Sequence, residues 1–250
     1  MSSFTPLMPH GDLTRVFSEV YVVTGTSRPL WQGVSWQFSR NMIVVCDGDA
    51  VTLINTVRLD DTGLRALEDL GTIKHVVRLG AFHGIDDAFY VDRYGAKLWA
   101  LPGMTHAGDL VATVELRPGG PMPFHGASLF VFETSKEPEG LLLIDRDDGI
   151  LVACDSLQNW SAPDRFFSAE SAERMTALGF IRPANVGPNW RAACEPRADD
   201  FRRLLDLPFR HLLCAHGEPL RERAREMLAA TFHELYGVDE DDQVAALPAS

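Results

Sequence analysis

The stretch HVVRLGAFHGIDDAF, residues 75–89, sets a short apolar run against a loop that carries His83, Asp86 and Asp87. HVVRL at 75–79 has the length and β-branched content of a strand, and Gly80 and Gly84 break it into a turn-rich loop. Ala88, Phe89 and Tyr94 then have partial helical spacing as far as Gly95, and KLWAL at 97–101 is the next strand. Before this stretch, AVTLINTV at 50–57 is again extended. Between them a short helix is predicted, with Thr62 as its cap, Leu64, Leu67 and Leu70 on one face, and Gly71 at its end. The order is a βαβ-like succession.

Further upstream, FSEVYVV at 17–23, VSWQF at 34–38 and MIVVC at 42–46 are rich in Val, Ile and aromatics, and CDGD at 46–49 supplies a turn. Downstream, LFVFET at 129–134, GLLLID at 140–145 and GILVACDSL at 149–157 are joined by turn-type KEPEG and RDDG, which predicts an antiparallel meander. Ser168 caps a helix with Met175 and Leu178 on its apolar side and Gly179 at its close, and a second helix lies near Ala198 to Leu205. HLLCA at 211–215 leads into a long helix from Glu218 to Tyr236, striped by Leu220, Ala224, Leu228 and Phe232. Residues 1–237 thus form one domain, and the acidic VDEDDQVAALPAS at 238–250 is predicted to be a mobile tail. A strand-rich half followed by helices occurs twice, an order that fits two sheets back to back with helices outside.

The composition suits one core-forming domain: 250 residues, 46% hydrophobic and 23% charged. A formal charge of -12 offers no basic footprint for nucleic acid, and no apolar run approaches the ~20 residues of a spanning helix. Met1 to Asp12 lacks the basic-then-apolar layout of a secretory signal. Cys46, Cys154, Cys194 and Cys214 are far apart with no CxxC pair, so a reducing cytoplasm is expected. Cys46, Cys154 and Cys214 sit in strand-like runs and read as small buried apolar groups.

Candidate chemistry gathers where strands end. His83 follows HVVRL, Asp155 follows GILVAC, His216 follows HLLCA, and His125 stands just before LFVFET. Metal sites are commonly built there, because the sheet fixes the backbone and the loop leaves a coordination position open. Each residue also has a plain structural reading: His83 in a tight turn, Asp155 as a cap, His216-Gly217 as a bend into the helix.

The order and context of these pieces resemble the metallo-β-lactamase fold. GAFHGID at 80–86 stands where its Thr-His-x-His-x-Asp-His loop belongs, PFHGASLFVF where its third His does, LVACDSL at its bridging Asp, and CAHGEP at its closing His-Gly. The resemblance implies an α+β, four-layer αββα sandwich. It also implies metal ligands at His83, His125, Asp155 and His216, while Ala81, Ile85 and Asp86 replace the loop's first His, its Asp and its last His. The implied site is mononuclear, holding one divalent metal (Zn first, Fe or Mn as alternatives), with Asp86 or Asp87 as ligand or general base. The implied activity is metal-dependent hydrolysis of a small ester, amide, lactone or phosphoester. The alternative is a metal-free relative, with no cofactor, serving as a binding or scaffolding module. The expected partner is a small molecule, with no nucleic acid and no membrane. Two further segments are weighed: the hairpin RPLWQGVSWQF at 28–38, whose Trp31 and Trp36 either cover the core or lie over a substrate mouth, and IRPANVGPNWR at 181–191, a solvated loop or a pocket wall.

Overall fold

The computed structural model describes residues 4–31 and 33–239. The first half supplies β1 (Thr14–Phe17), β2 (Val20–Ser27), the small hairpin of β3 (Leu30–Trp31) and β4 (Val34–Ser35), β5 (Phe38–Asp47), β6 (Ala50–Ile54), α1 (Asp61–Glu68), β7 (Thr72–Arg78), α2 (Asp87–Tyr94), β8 (Lys97–Ala100) and β9 (Val114–Glu115). Seven of these strands form one sheet in the order β1-β2-β5-β6-β7-β8-β9. The βαβ-like succession is real: β6, β7 and β8 pair in parallel, with α1 and α2 as crossovers. The second half supplies β10 (Ala127–Val131), β11 (Gly140–Ile144), β12 (Ile150–Ala153), β13 (Leu157–Gln158), α3 (Ala169–Ala177), β14 (Asn185–Val186), α4 (Pro188–Cys194), α5 (Ala198–Leu205), β15 (His211–Cys214) and α6 (Ala224–Tyr236). β10, β11 and β12 make the predicted antiparallel meander, and β15 joins β12 in parallel.

The period of two along each strand sorts side chains into layers. In β5, Ile43 and Val45 enter the core between the sheets, while Met42, Val44 and Cys46 lie under Leu64 and Leu67 of α1 and Phe89 and Tyr90 of α2. In β11, Leu142 and Ile144 face that same central core, while Leu141 and Leu143 join Trp190 of α4, Phe201 of α5 and Phe232 of α6. Strands buried on both faces carry continuous apolar runs instead of alternation, which is why MIVVC and GLLLI read as they do. Helix, sheet, sheet, helix is the expected four-layer αββα sandwich. Among the described residues, no helix is long and apolar enough to cross a membrane. All four cysteines are buried and unpaired.

Several local expectations change. Asp60, two residues before Thr62, caps α1, accepting from the amides of Thr62 and Gly63. α6 begins at Ala224, because Leu220 bridges Leu212 in both backbone directions and so cannot start a helix. Leu178, assigned to the apolar side of α3, is exposed. The Pro-rich segment contains α4, which Pro188 opens at its first position, where a missing N–H costs nothing. Val238 at the start of the predicted tail is buried against the second-half core. Residues 240–250 of that tail lie outside the described residues.

Candidate metal centre

β12 and β15 run side by side, so the residues that follow them, Asp155 and His216, emerge at the same end of the second sheet. The loop after β7 reaches this end from the first sheet, where Gly80 bridges Glu139. Buried Arg78 braces the loop, donating from Nε to the Gly80 carbonyl and from Nη2 to that of Ala81 at 2.5 Å. His83, Asp155 and His216 therefore converge. The two Nε2 atoms are 3.1 Å apart, His83 Nε2 is 3.4 Å from Asp155 Oδ2, and His216 Nε2 is 3.2 Å from Asp155 Oδ1. A side chain at Gly217 would collide with the Asn159 carbonyl, and its φ of +97° is left-handed, so only glycine lets the chain turn directly after His216.

His216 is oriented from behind. Its Nδ1 faces the Ser39 carbonyl at 3.1 Å, and a carbonyl only accepts, so Nδ1 carries the hydrogen and Nε2 turns toward Asp155 and His83. Its ring lies between Phe38 and Trp160, with centroids 5.6 and 5.5 Å away. Burial alone would raise the pKa of Asp155, but His83 and His216 hold its carboxyl far below the usual range, as an anion. Donors about 2.0–2.2 Å from one ion lie about 3.3 Å apart in a tetrahedral shell and about 3.0 Å apart in an octahedral one. The two imidazole nitrogens, 3.1 Å apart, lie within these values, and each is 3.4 or 3.2 Å from a different oxygen of the Asp155 carboxylate, a donor set that suits a divalent ion.

Sequence reasoning missed the groups directly behind these three. Cys154 is buried as expected, yet its Sγ lies with the donor atoms of His83 and Asp155, all within 4.8 Å of one another, and it points at Asp155 Oδ2 from 3.7 Å. Burial, then Asp155 and Glu139, push its thiol well up, so without a metal it is a neutral donor. Glu139 is fully buried, accepts from the Ser156 amide at 2.7 Å, and leaves Oε2 without a partner. Burial first and Asp155 second push its carboxyl well up. The only available signal was their adjacency to strand ends.

The remaining predicted site residues do not join the cluster. His125 is a correction: its side chain is 96% exposed and pairs with Asp47 at 2.7 Å. Register explains why. Ala127 at the start of β10 aligns with Ile144, and Ile144 with Ile150, so His125 lies at the beginning of β12, whereas Asp155 lies beyond its end. β5 measures the gap, because Asp47 is nine residues, about 30 Å, from Phe38 beside His216. Asp86 is also engaged elsewhere: its carboxylate accepts from Arg40, from Thr5 and from the Arg58 amide. Asp87 is buried beneath the loop, accepting from Thr56 at 2.6 Å, and burial pushes its carboxyl up. Neither is placed as a ligand or a free base.

His83, Asp155 and His216 open onto a pocket of about 610 Å³. Both weighed segments contribute to it. Trp31 lines it half-exposed, while Trp36 lines it from a buried cluster with Trp160, Met175 and Phe180. From 181–191, Asn189 and Trp190 line it, whereas Arg182 pairs with Glu234 and Asn185 is buried, donating to the Gly179 carbonyl.

Comparison with solved structures agrees with this architecture. A metallo-β-lactamase from Hirschia baltica superposes with a TM-score of 0.56 over 89% of this chain and 96% of its own, at 15% identity. The chain has the metallo-β-lactamase fold. The same metallo-β-lactamase fold is matched in FIM-1 from Pseudomonas aeruginosa in its mono-zinc form, with a TM-score of 0.59 over 91% of this chain and 96% of that one, at 14% identity. A flavo di-iron protein from Thermotoga maritima reaches 0.59 at 15% identity, over 90% of this chain and 62% of its own. No protein-family model matches the sequence, and no curated protein does.

Proposed function

We propose that this chain is a metal-dependent hydrolase acting on a small molecule, with one divalent ion held by His83, Asp155 and His216. The approach of His83 and His216 Nε2, 3.1 Å apart, to the two carboxylate oxygens of Asp155 at 3.4 and 3.2 Å, from both halves of the chain and beside the 610 Å³ pocket, carries this reading. Bound there, Zn, or Fe or Mn, supplies Lewis acidity toward a substrate oxygen and lowers the pKa of water. The chain's own groups orient and neutralise. The Ser39 carbonyl fixes the His216 tautomer, and the two imidazoles keep Asp155 ionised. With Asp86 tied to Arg40, the anionic Asp155 is the pocket carboxylate that offsets the charge of the ion. The mono-zinc metallo-β-lactamase among the structural neighbours is consistent with a one-metal site. Four buried, unpaired cysteines support a reducing compartment such as the cytoplasm.

Ala81, Ile85 and the displacement of His125 favour a second reading, a metal-free binding or scaffolding relative. Elemental analysis of the purified chain decides between the two. One metal per chain, lost in His216→Ala and in Asp155→Asn, is the expected result. A chain without stoichiometric metal, whose His216→Ala variant changes neither metal content nor melting temperature, sinks the hydrolase.

A further inference from the structure

Asp155 presents its two carboxylate oxygens to different partners. Oδ1 faces His216 at 3.2 Å, whereas Oδ2 faces His83 at 3.4 Å and the Cys154 sulfur at 3.7 Å. The donor atoms of His83, Cys154 and Asp155 lie within 4.8 Å of one another. A tetrahedral ion about 2.3 Å from sulfur and about 2.0–2.1 Å from oxygen and nitrogen sets S···O and S···N edges of about 3.5 Å and an N···O edge of about 3.3 Å. Two edges of this trio are already close to those lengths. The third, from sulfur to imidazole, has to shorten by about 1.3 Å at most.

A second observation places a cation beside the sulfur. Glu139 is fully buried; its Oε1 accepts from the Ser156 amide, and its Oε2 has no partner among the described residues. A side chain at Gly80 would collide with both Glu139 Oε2 and the Cys154 sulfur, so glycine there lets the two atoms border one small space. Buried polar atoms rarely stay unpaired, and a carboxyl oxygen next to a sulfur and a second carboxylate suits a cation. Arg78, the buried cation of the same loop, is engaged elsewhere, with the carbonyls of Gly80, Thr105 and Ala81 and with His106.

We propose that Cys154, His83 and Asp155 Oδ2, with Glu139 Oε2 alongside, form a second cation position, selective for a soft divalent ion. Thiolate is the soft donor that the His83, Asp155 and His216 set lacks, and it favours ions such as cadmium over hard ones such as manganese. The two positions exclude each other, because His83 Nε2 has a single lone pair to give. An ion enters through His83 and Asp155, which line the pocket, and settles against the sulfur. Binding replaces the S–H bond with a metal–sulfur bond, releases one proton to the buffer and changes no oxidation state. A soft ion seated there takes two ligands away from the hydrolytic ion. The position shares those two residues with the hydrolase reading and does not depend on it.

Cadmium titration of the chelator-stripped full chain, followed by sulfur-to-cadmium charge-transfer absorption in the ultraviolet, tests this. The band should saturate at one Cd²⁺ per chain, disappear in Cys154→Ser, persist in His216→Ala and withstand an excess of Mn²⁺. X-ray absorption at the cadmium edge of the wild type reads the same shell without any variant, and should find one sulfur among lighter neighbours. Lighter neighbours only, no uptake of Cd²⁺, or a band that survives in Cys154→Ser, vanishes in His216→Ala or yields to Mn²⁺ overturns the proposal. Cd²⁺ held without sulfur and lost in His216→Ala defeats the second position while leaving the hydrolytic one standing. Sulfur-bound Cd²⁺ in a chain that takes up no Zn²⁺ does the reverse.

Discussion

Asn41 holds the site together from a distance. Its backbone amide donates to the Ala215 carbonyl at 2.7 Å, and its side-chain Nδ2 donates to the carbonyls of Cys214 and Gly217 at 2.9 and 2.5 Å, bracketing His216. Asn41→Ala leaves the buried Cys214 carbonyl and the half-buried Gly217 carbonyl without this donor, a loss of about 2–3 kcal/mol in urea unfolding. Because His216 is then free to turn, zinc affinity by competition with a chelator should fall about 10–100-fold; unchanged affinity would separate this residue from the site. Asp200 illustrates a carboxylate that works purely for the fold. Burial alone would raise its pKa, but Thr134 Oγ1, Arg203 and the amides of Glu133 and Thr134 hold it below the usual range. Its stabilisation is therefore complete above the ordinary Asp pKa of about 3.9 and disappears as pH falls through the lower folded value. The stability gap between wild type and Asp200→Asn should be constant from neutrality to about pH 5 and close on further acidification; a gap that widens in acid would reverse the sign. Chain position made His83, Asp155 and His216 legible, since each ends a strand. His125 has the same look in sequence, and only strand register reveals that it stands at the wrong end.

The elements divide by how local their cause is. β5, β11 and β12 are buried on both faces, so their residue content alone identifies them, and the helix spacing of Leu64 and Leu67 is equally self-contained. Local pattern misleads where a distant partner decides. Leu220 has the spacing of the α6 stripe, but Leu212, part of β15, pairs with its backbone and keeps residues 218–223 out of the helix. Pro188 and Gly187 read as loop, yet proline at the first helical position opens α4, whose Trp190 then packs against Phe132 at a centroid distance of 4.8 Å. The cap of α1 is a case in which the correction can be measured. Asp60 satisfies the amides of Thr62 and Gly63, whereas the Thr62 hydroxyl only accepts from Arg65. Asp60→Ala should cost about 1 kcal/mol and Thr62→Ala less than about 0.5 kcal/mol. Equilibrium unfolding of the two variants checks the order, and the reverse ranking would return the cap to Thr62.

At the scale of the whole molecule, the two sheets meet along a dry core, with Ile43, Val45 and Val77 from one side against Leu142, Ile144 and Val152 from the other. His83 comes from the first half, whereas Asp155 and His216 come from the second, so a metal held by all three would bridge the halves at the edge of that core. A ligand that binds only the folded chain stabilises it by about 2.7 kcal/mol at a hundred times its Kd. For a domain of this size that raises the melting temperature by roughly 5–10 °C. Saturating zinc should give a shift of that order in the wild type, a chelator should reverse it, and Asp155→Asn should abolish it, because the neutral amide no longer offers an anion to the ion. Differential scanning fluorimetry across a zinc titration reads this without any substrate. A melting temperature indifferent to both zinc and chelator would mean that the convergence of the three side chains is satisfied by their own hydrogen bonds, and that the sandwich is closed by its apolar core alone.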